Sequence, residues 1–269
     1  MSSYLVRVFY LGNRYHGSQI QPNLATIQGE LIRAFCDWSG EEHTAKTIQL
    51  AGRTDRGVHS LGQIGIVNTK KTLELEEVNR ILPDDIVLWA ASEAPPNFNV
   101  RYDILLRHYR YYWSSSEQLD VTKMKKAAQQ LVGTHDFSRL SKPDPNRTNI
   151  STILNIAVTN QDDLFVTDIH GTNFLWKMVR KIVSLLIEIG MHKMNPSIIG
   201  KLLSGQGISG GIHPAPPECL VLMESVVPLE MKSNISALYR IRGKIRDYRD
   251  MLHRVTRTLN GLNDDLPFS

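Results

Sequence analysis

The order of β-rich and helical segments repeats along this chain, and that repetition constrains the fold more than any other feature. Residues 4–10 (YLVRVFY) are dense in β-formers and predict a strand. Thr26 stands where a helix N-cap belongs, ahead of Ile27, Leu31, Ile32 and Phe35 at helical spacing up to Gly40. Residues 47–52 and 63–67 flank a polar turn and predict a hairpin-like pair of strands. A short helix over 75–82, ended by Pro83, and a strand over 86–92 follow. The second half runs in similar order. A strand is expected from about Arg107 to Trp113, a helix over 121–132, and a loop over 133–137 (GTHDF). Paired strands follow over 147–158 and 164–170, with Gln161 and Asp162 in the turn. Then come a long apolar helix over 173–190, a second helix over 196–203, a Gly/Pro-rich loop over 205–217 and a strand over 220–226. This pattern predicts an α+β fold. Two similar units, 1–103 and 104–232, share a mostly antiparallel sheet with helices on one side.

Residues 233–269 differ in character. Leu238, Ile241, Ile245, Tyr248, Leu252, Val255 and Leu259 form a heptad stripe. From Lys232 to Arg257 there are eight Lys or Arg residues against two Asp, so the helix is both basic and amphipathic. Three readings stand together here: a helix docked on the body with a solvated basic face, an RNA-facing helix, or a dimer-forming one. In each the stripe is covered, which leaves Arg240, Lys244, Arg246, Arg249 and Arg254 on the open face.

With 42% hydrophobic and 22% charged residues, the composition excludes disordered and collagen-like classes. A net charge of +4 is compatible with a polyanionic partner without demanding one. Cys36 and Cys219 form no CxxC pair, which argues against a thiolate zinc site and a disulfide scaffold. Residues 1–10 lack the apolar core of a signal peptide, and no apolar run reaches membrane length. A soluble, cytoplasmic protein is expected.

The segment from Ala51 to His59 (AGRTDRGVH) concentrates the chemistry. Two glycines bracket Arg53, Thr54 and Asp55, allowing a sharp turn or the close approach of a ligand. On residues alone, a polar hairpin turn in which Asp55 caps the backbone is the simpler reading. With Gln63 a few residues on, however, the segment resembles the GRTDxGVH signature of the TruA family of tRNA pseudouridine synthases. Further landmarks of that family occur in order between residues 4 and 226. Tyr10, Gly12, Tyr15, Gly17, Gln19, Gln21, Thr26 and Gln28 resemble its opening. Arg107, Tyr109 and Tyr111 resemble its RxYxY strand, and Gly133 with His135, Asp136 and Phe137 its GxHDF loop. Phe174, Leu175, Met178, Val179 and Arg180 resemble its FLxxMVR helix. Ala215 and Pro216 with Leu220 and Leu222 resemble its ending. Leu11, Asn13, Arg56 and Cys219 depart from the usual residues, and none of these is a catalytic position.

The resemblance implies an enzyme that isomerises uridine in tRNA, with a central active-site cleft. Pseudouridine formation breaks the ribose C1′–N1 bond and rejoins the base through C5. Positive character develops at C1′, which a carboxylate can meet as nucleophile or as electrostatic partner. The resemblance implies that Asp55 is this catalytic carboxylate; direct attack on C1′ and assisted elimination through the 2′ position both stay open. It makes Arg180 the partner that orients Asp55 by paired hydrogen bonds, although on residues alone Arg180 is equally a solvent-facing arginine. It makes Tyr109 the aromatic that stacks on a flipped-out uracil and stands near the C5 proton. Otherwise Tyr109 is one strand aromatic among Tyr111, Tyr112 and Trp113. Arg53 is expected to support the displaced base or a neighbouring phosphate.

No cofactor or metal is expected. The reaction is an isomerisation, and the chain has no P-loop, HExxH or Rossmann fingerprint. His135 and Asp136 lack further ligand spacing. The implied partners are tRNA, modified at positions 38–40 of the anticodon stem-loop, and a second subunit in a homodimer. The competing readings are a catalytically silent RNA-binding protein on the same scaffold and a family member acting at another RNA site.

Overall fold

Thr26 acts as its position predicts. Its hydroxyl accepts the Gly29 N–H at 3.2 Å and starts α1 (Ile27–Ser39), which ends where Gly40 turns left-handed. The computed structural model describes residues 1–114, 118–145 and 148–264. The strands are β1 (Ser2–Tyr10), β2 (Ile48–Leu50), β3 (His59–Thr69), β4 (Ile86–Glu93), β5 (Leu106–Ser114), β6 (Gly133–Asp136), β7 (Ile150–Gln161), β8 (Leu164–Gly171), β9 (Leu220–Val226) and β10 (Lys232–Ser233). The remaining α-helices are α2 (Leu75–Ile81), α3 (Val121–Gln129), α4 (Met178–Gly190), α5 (Ile198–Leu203) and α6 (Ile235–Asp264). Among the described residues, no helix is long and apolar enough to cross a membrane.

The strands form one ten-stranded sheet in the order β10-β4-β1-β3-β9-β5-β8-β7-β6, with β2 also paired to β3. The pairings are antiparallel except for β3 with β9, so the expected mostly antiparallel sheet is present. That parallel seam, His59 opposite Val221 and Ser60 opposite Leu222, joins the strand that follows the Asp55 loop to the last strand of the second half.

Among the described residues, four apolar clusters lie along this sheet. Val8 and Tyr10 of β1 with Ile86 and Leu88 of β4 pack against α1 and α2. Tyr109 and Tyr111 of β5, with Ile156 of β7 and Ile169 of β8, pack against α3, α4 and α5. Phe9 and Val87, which alternate with the first set, pack instead against Ala237 and Ile241 of α6. Strand neighbours point to opposite faces, so α6 lies opposite α1 and α2. For these strands α1 and α2 are the helices on one side, and α6, the helix of the tail, covers the other face; β1 and β4 are apolar on both faces, and each face needs a cover.

Three local expectations also change. Residues 133–137 read as a loop, yet Gly133–Asp136 pairs with Ile150–Ile153 as a short edge strand; tertiary pairing overrides local propensity. The apolar run over 173–190 predicts one helix, but α4 begins only at Met178, because Lys177 takes a left-handed conformation (φ 63°). In α6, Ala237 and Ile241 are buried and Leu238 and Tyr248 half-buried, whereas Ile245, Leu252, Val255 and Leu259 are exposed. The stripe thus meets the body only over its first turns and at Tyr248. Arg240 and Lys244 are not free on the outer face. Arg240 donates to the Asn79 carbonyl at 2.6 Å, and Lys244 pairs with Asp84 at 3.1 Å. Arg147, the expected start of one strand, lies outside the described residues, as do residues 265–269.

Candidate active site

The loop between β2 and β3 is braced from several sides. From the opening segment, Gly12 N donates to His59 Nδ1 at 3.0 Å, and Gly57 N donates to the Gly12 carbonyl at 3.2 Å. A β-carbon on Gly12 would meet the Val58 carbonyl oxygen at 2.0 Å, so only glycine fits. Thr54 N donates to Ser18 Oγ at 2.8 Å, and the Thr54 hydroxyl shares a 2.9 Å hydrogen bond with the Tyr10 phenol. The Gln63 amide spans Gly52, accepting its N–H at 3.2 Å and donating to its carbonyl at 2.8 Å. The Asp55 carbonyl accepts the Val58 N–H at 3.2 Å, closing a turn whose third residue, Gly57, has φ 87°. Asp55 therefore sits on a fixed backbone.

Its carboxylate is gripped by the segment around the start of α4. Arg180 Nη1 donates to Oδ2 at 2.5 Å, and Trp176 Nε1 donates to Oδ1 at 2.9 Å. The ion pair is mostly shielded, with side-chain exposures of 11% for Arg180 and 19% for Asp55. Arg180 Nε is already committed to the Ala215 carbonyl at 2.6 Å. The expected two-pronged pairing with Asp55 is thus replaced by a one-armed contact.

Tyr109 is buried, and Phe174 meets its ring edge-on with centroids 5.1 Å apart. Burial pushes the phenol up to about 12; the Arg107 charge opposes this and the Asp55 charge adds to it. The structure thus brings together Asp55, Arg180 and Tyr109. Arg53 is exposed and takes no part in holding Asp55. His135 and Asp136 serve the local backbone, His135 Nε2 against the Val132 carbonyl at 3.0 Å and Asp136 accepting the Ser138 N–H at 2.7 Å.

Two contributors have roles that the sequence alone does not assign. Arg107 is buried and donates to the carbonyls of Ala51 at 3.0 Å and Thr172 at 2.8 Å, tying the Asp55 loop to the segment that carries Trp176. Its signal was parity: two residues before Tyr109 on one strand, it faces the same side. Trp176 gave no local signal, because its direction depends on the left-handed turn at Lys177.

A single carboxylate held by a guanidinium and an indole N–H, its charge felt by a buried tyrosine, lies where the two halves of the sheet meet. The profile of the tRNA pseudouridine synthase family matches residues 127–226. Over 221 residues the chain is 38% identical to tRNA pseudouridine synthase A of Methanosarcina acetivorans, covering 81% of this chain and 82% of that protein. The proteins of the same name from Methanothermobacter thermautotrophicus and Methanococcoides burtonii are 36% and 34% identical. They cover 86% and 90% of this chain, and 84% and 90% of their own lengths. The chain belongs to the tRNA pseudouridine synthase family and is an isomerase of that family.

Proposed function

We propose that this protein converts uridine to pseudouridine in tRNA at positions 38–40 of the anticodon stem-loop, with Asp55 as the nucleophile. The observation that carries the reading is the Asp55–Arg180 pair, which links the glycine-braced loop to α4 at the mouth of the sheet seam. The target uridine leaves its stack and enters beside Tyr109. The C1′–N1 bond breaks as Asp55 meets the positive character at C1′. The base then rotates, C5 bonds to C1′, the C5 proton leaves, and N1 takes up a proton. Arg180 keeps Asp55 aimed throughout.

Tyr109 supplies the stacking face. Because its phenol keeps its proton at neutral pH, it must pass that proton on before it can accept another from C5. Arg53, exposed on the Asp55 loop, reaches the displaced base or a flanking phosphate. Residues 1–103 act as one lobe carrying Asp55, and 104–232 as a second carrying Tyr109 and Arg180. The 233–269 tail serves either the RNA backbone or the subunit contact. The exposed row Ile245, Leu252, Val255 and Leu259 on α6 supports a homodimer. A tRNA substrate fits a cytoplasmic enzyme.

The test is tritium release from 5-³H-uridine tRNA by the purified protein, with pseudouridine mapped in tRNA from cells with and without it. Release at positions 38–40 is expected. Release confined to another site would move the substrate assignment, and tRNA binding without release would make the protein a silent binder.

A further inference from the structure

The geometry points to Trp176 as a positioning residue for Asp55, whose indole N–H supplies the second anchor that Arg180 cannot. This rests on the reading of Asp55 as the reacting carboxylate. Arg180 reaches only Oδ2, since its Nε is held by the Ala215 carbonyl. A carboxylate held through one oxygen can still swing about its terminal torsion. Trp176 Nε1 takes the other oxygen, Oδ1, at 2.9 Å and fixes the plane. The two donors come from one short stretch, four residues apart on either side of the α4 start, so they approach the carboxylate as a unit.

Trp176 is itself held in place, although it is 49% exposed. Its carbonyl accepts the Lys142 N–H at 2.7 Å. The Lys142 ammonium sits 3.8 Å above its ring, and that of Lys177 lies 5.9 Å from the centroid. The next residue, Lys177, is in the left-handed region, a costly conformation for a lysine. Were the helix to begin at Asn173 without that turn, Trp176 would follow the helical path rather than the course that brings its N–H to Asp55. An indole exposed for packing alone needs neither the hydrogen bond nor the strained neighbour.

The test separates the N–H from the ring. Two variants are compared with wild type on tRNA: Trp176→Phe, and replacement of Trp176 by β-(3-benzothienyl)alanine, which keeps the bicyclic shape and swaps the N–H for sulfur. Both should lower kcat by roughly ten- to a hundredfold, the scale of a misaimed reacting group, with KM for tRNA unchanged within about twofold, as expected when mainly phosphate contacts hold the RNA. A normal kcat in the benzothienyl variant, or a rise in KM with kcat preserved, would overturn the proposal and leave Trp176 a packing or stacking residue. Asp55→Asn is assayed alongside. If it retains turnover, the reading of Asp55 falls and the Trp176 proposal with it. If it is inactive while the benzothienyl variant is normal, only the Trp176 proposal falls.

Discussion

Arg180 Nε donates to the Ala215 carbonyl at 2.6 Å, and this anchor fixes which arm of the guanidinium meets Asp55. An ammonium cannot reproduce the arrangement, because it is a single point of charge on a flexible stem. Arg180→Lys would give up either the Ala215 anchor or the contact with Asp55. We expect the variant to fold, since charge and most of the side-chain volume are kept, but to lose about a hundredfold or more in kcat. The check is kcat by tritium release together with a thermal unfolding curve. A near-normal kcat would remove Arg180 from the orientation of Asp55.

Asp55→Asn tests the carboxylate itself. The amide is nearly isosteric and still accepts from Trp176 or Arg180, so the loop should stay in place. It cannot meet developing positive charge at C1′. Turnover should disappear while the Kd for tRNA stays within about tenfold, because many phosphate contacts share the binding energy. The measurement pairs single-turnover tritium release with a filter-binding titration. Wild-type turnover would remove Asp55 from its role.

How much of this was legible in the sequence depended on the distance over which each signal acts. The Thr26 cap and the left-handed Gly40 are local devices, and both ends of α1 could be read from them. The start of α4 could not. Phe174 to Val179 is continuously apolar apart from Lys177, and no residue in it announces that Lys177 breaks the helical path. The β6 pairing was hidden for a different reason: a short segment containing Gly133 becomes a strand only when β7 offers its edge. Asp55 and Arg180 lie 125 residues apart in sequence, and periodicity carries no information over that separation. Their pairing was expected only through the resemblance to a family, and Trp176, at a variable position of the FLxxMVR pattern, was not expected at all.

Gly12 offers a test of the loop's bracing. A methyl group there would meet the Val58 carbonyl oxygen at 2.0 Å, and the obstacle is backbone rather than a mobile side chain. Gly12→Ala must push the 51–58 loop outward, at a cost of about 1–3 kcal/mol for overpacking. Asp55 would move with it, so activity should fall by more than the loss of folded protein explains. Gly243 is the matched control. It lies within α6 with nothing within 4 Å of an added β-carbon, so Gly243→Ala should leave activity intact and raise stability by up to about 1 kcal/mol. Thermal unfolding and specific activity of the two variants decide the matter. Equal activities would mean that the Gly12–Val58 contact does not set the position of Asp55.

The tail calls for a cut placed by its packing. Removal of everything after Lys232 would take away Ala237 and Ile241, which cover Phe9 and Val87, and would mix destabilisation with any effect on RNA. The last described contact with the body is near Tyr248, whose ring lies edge-on to His59 with centroids 6.3 Å apart. Residues 251–263 are exposed throughout and include His253, Arg254 and Arg257. Truncation after Asp250 therefore keeps the docked part and deletes the free basic end. Each phosphate that the shortened protein no longer neutralises should flatten the plot of log affinity against log salt by about 0.9 if the bound RNA is duplex-like. Loss of Arg254 and Arg257 should thus reduce the slope by up to about 2 and raise Kd, with the single-turnover rate at saturating enzyme unchanged. Leu252, Val255 and Leu259 leave in the same cut, so sedimentation must accompany the titration. A truncated protein that sediments as a monomer and binds tRNA with an unchanged salt slope would assign the end of α6 to the subunit contact. One that keeps its oligomeric state and shows a flatter slope would assign it to the RNA backbone, because released counterions report on charge and covered leucines do not.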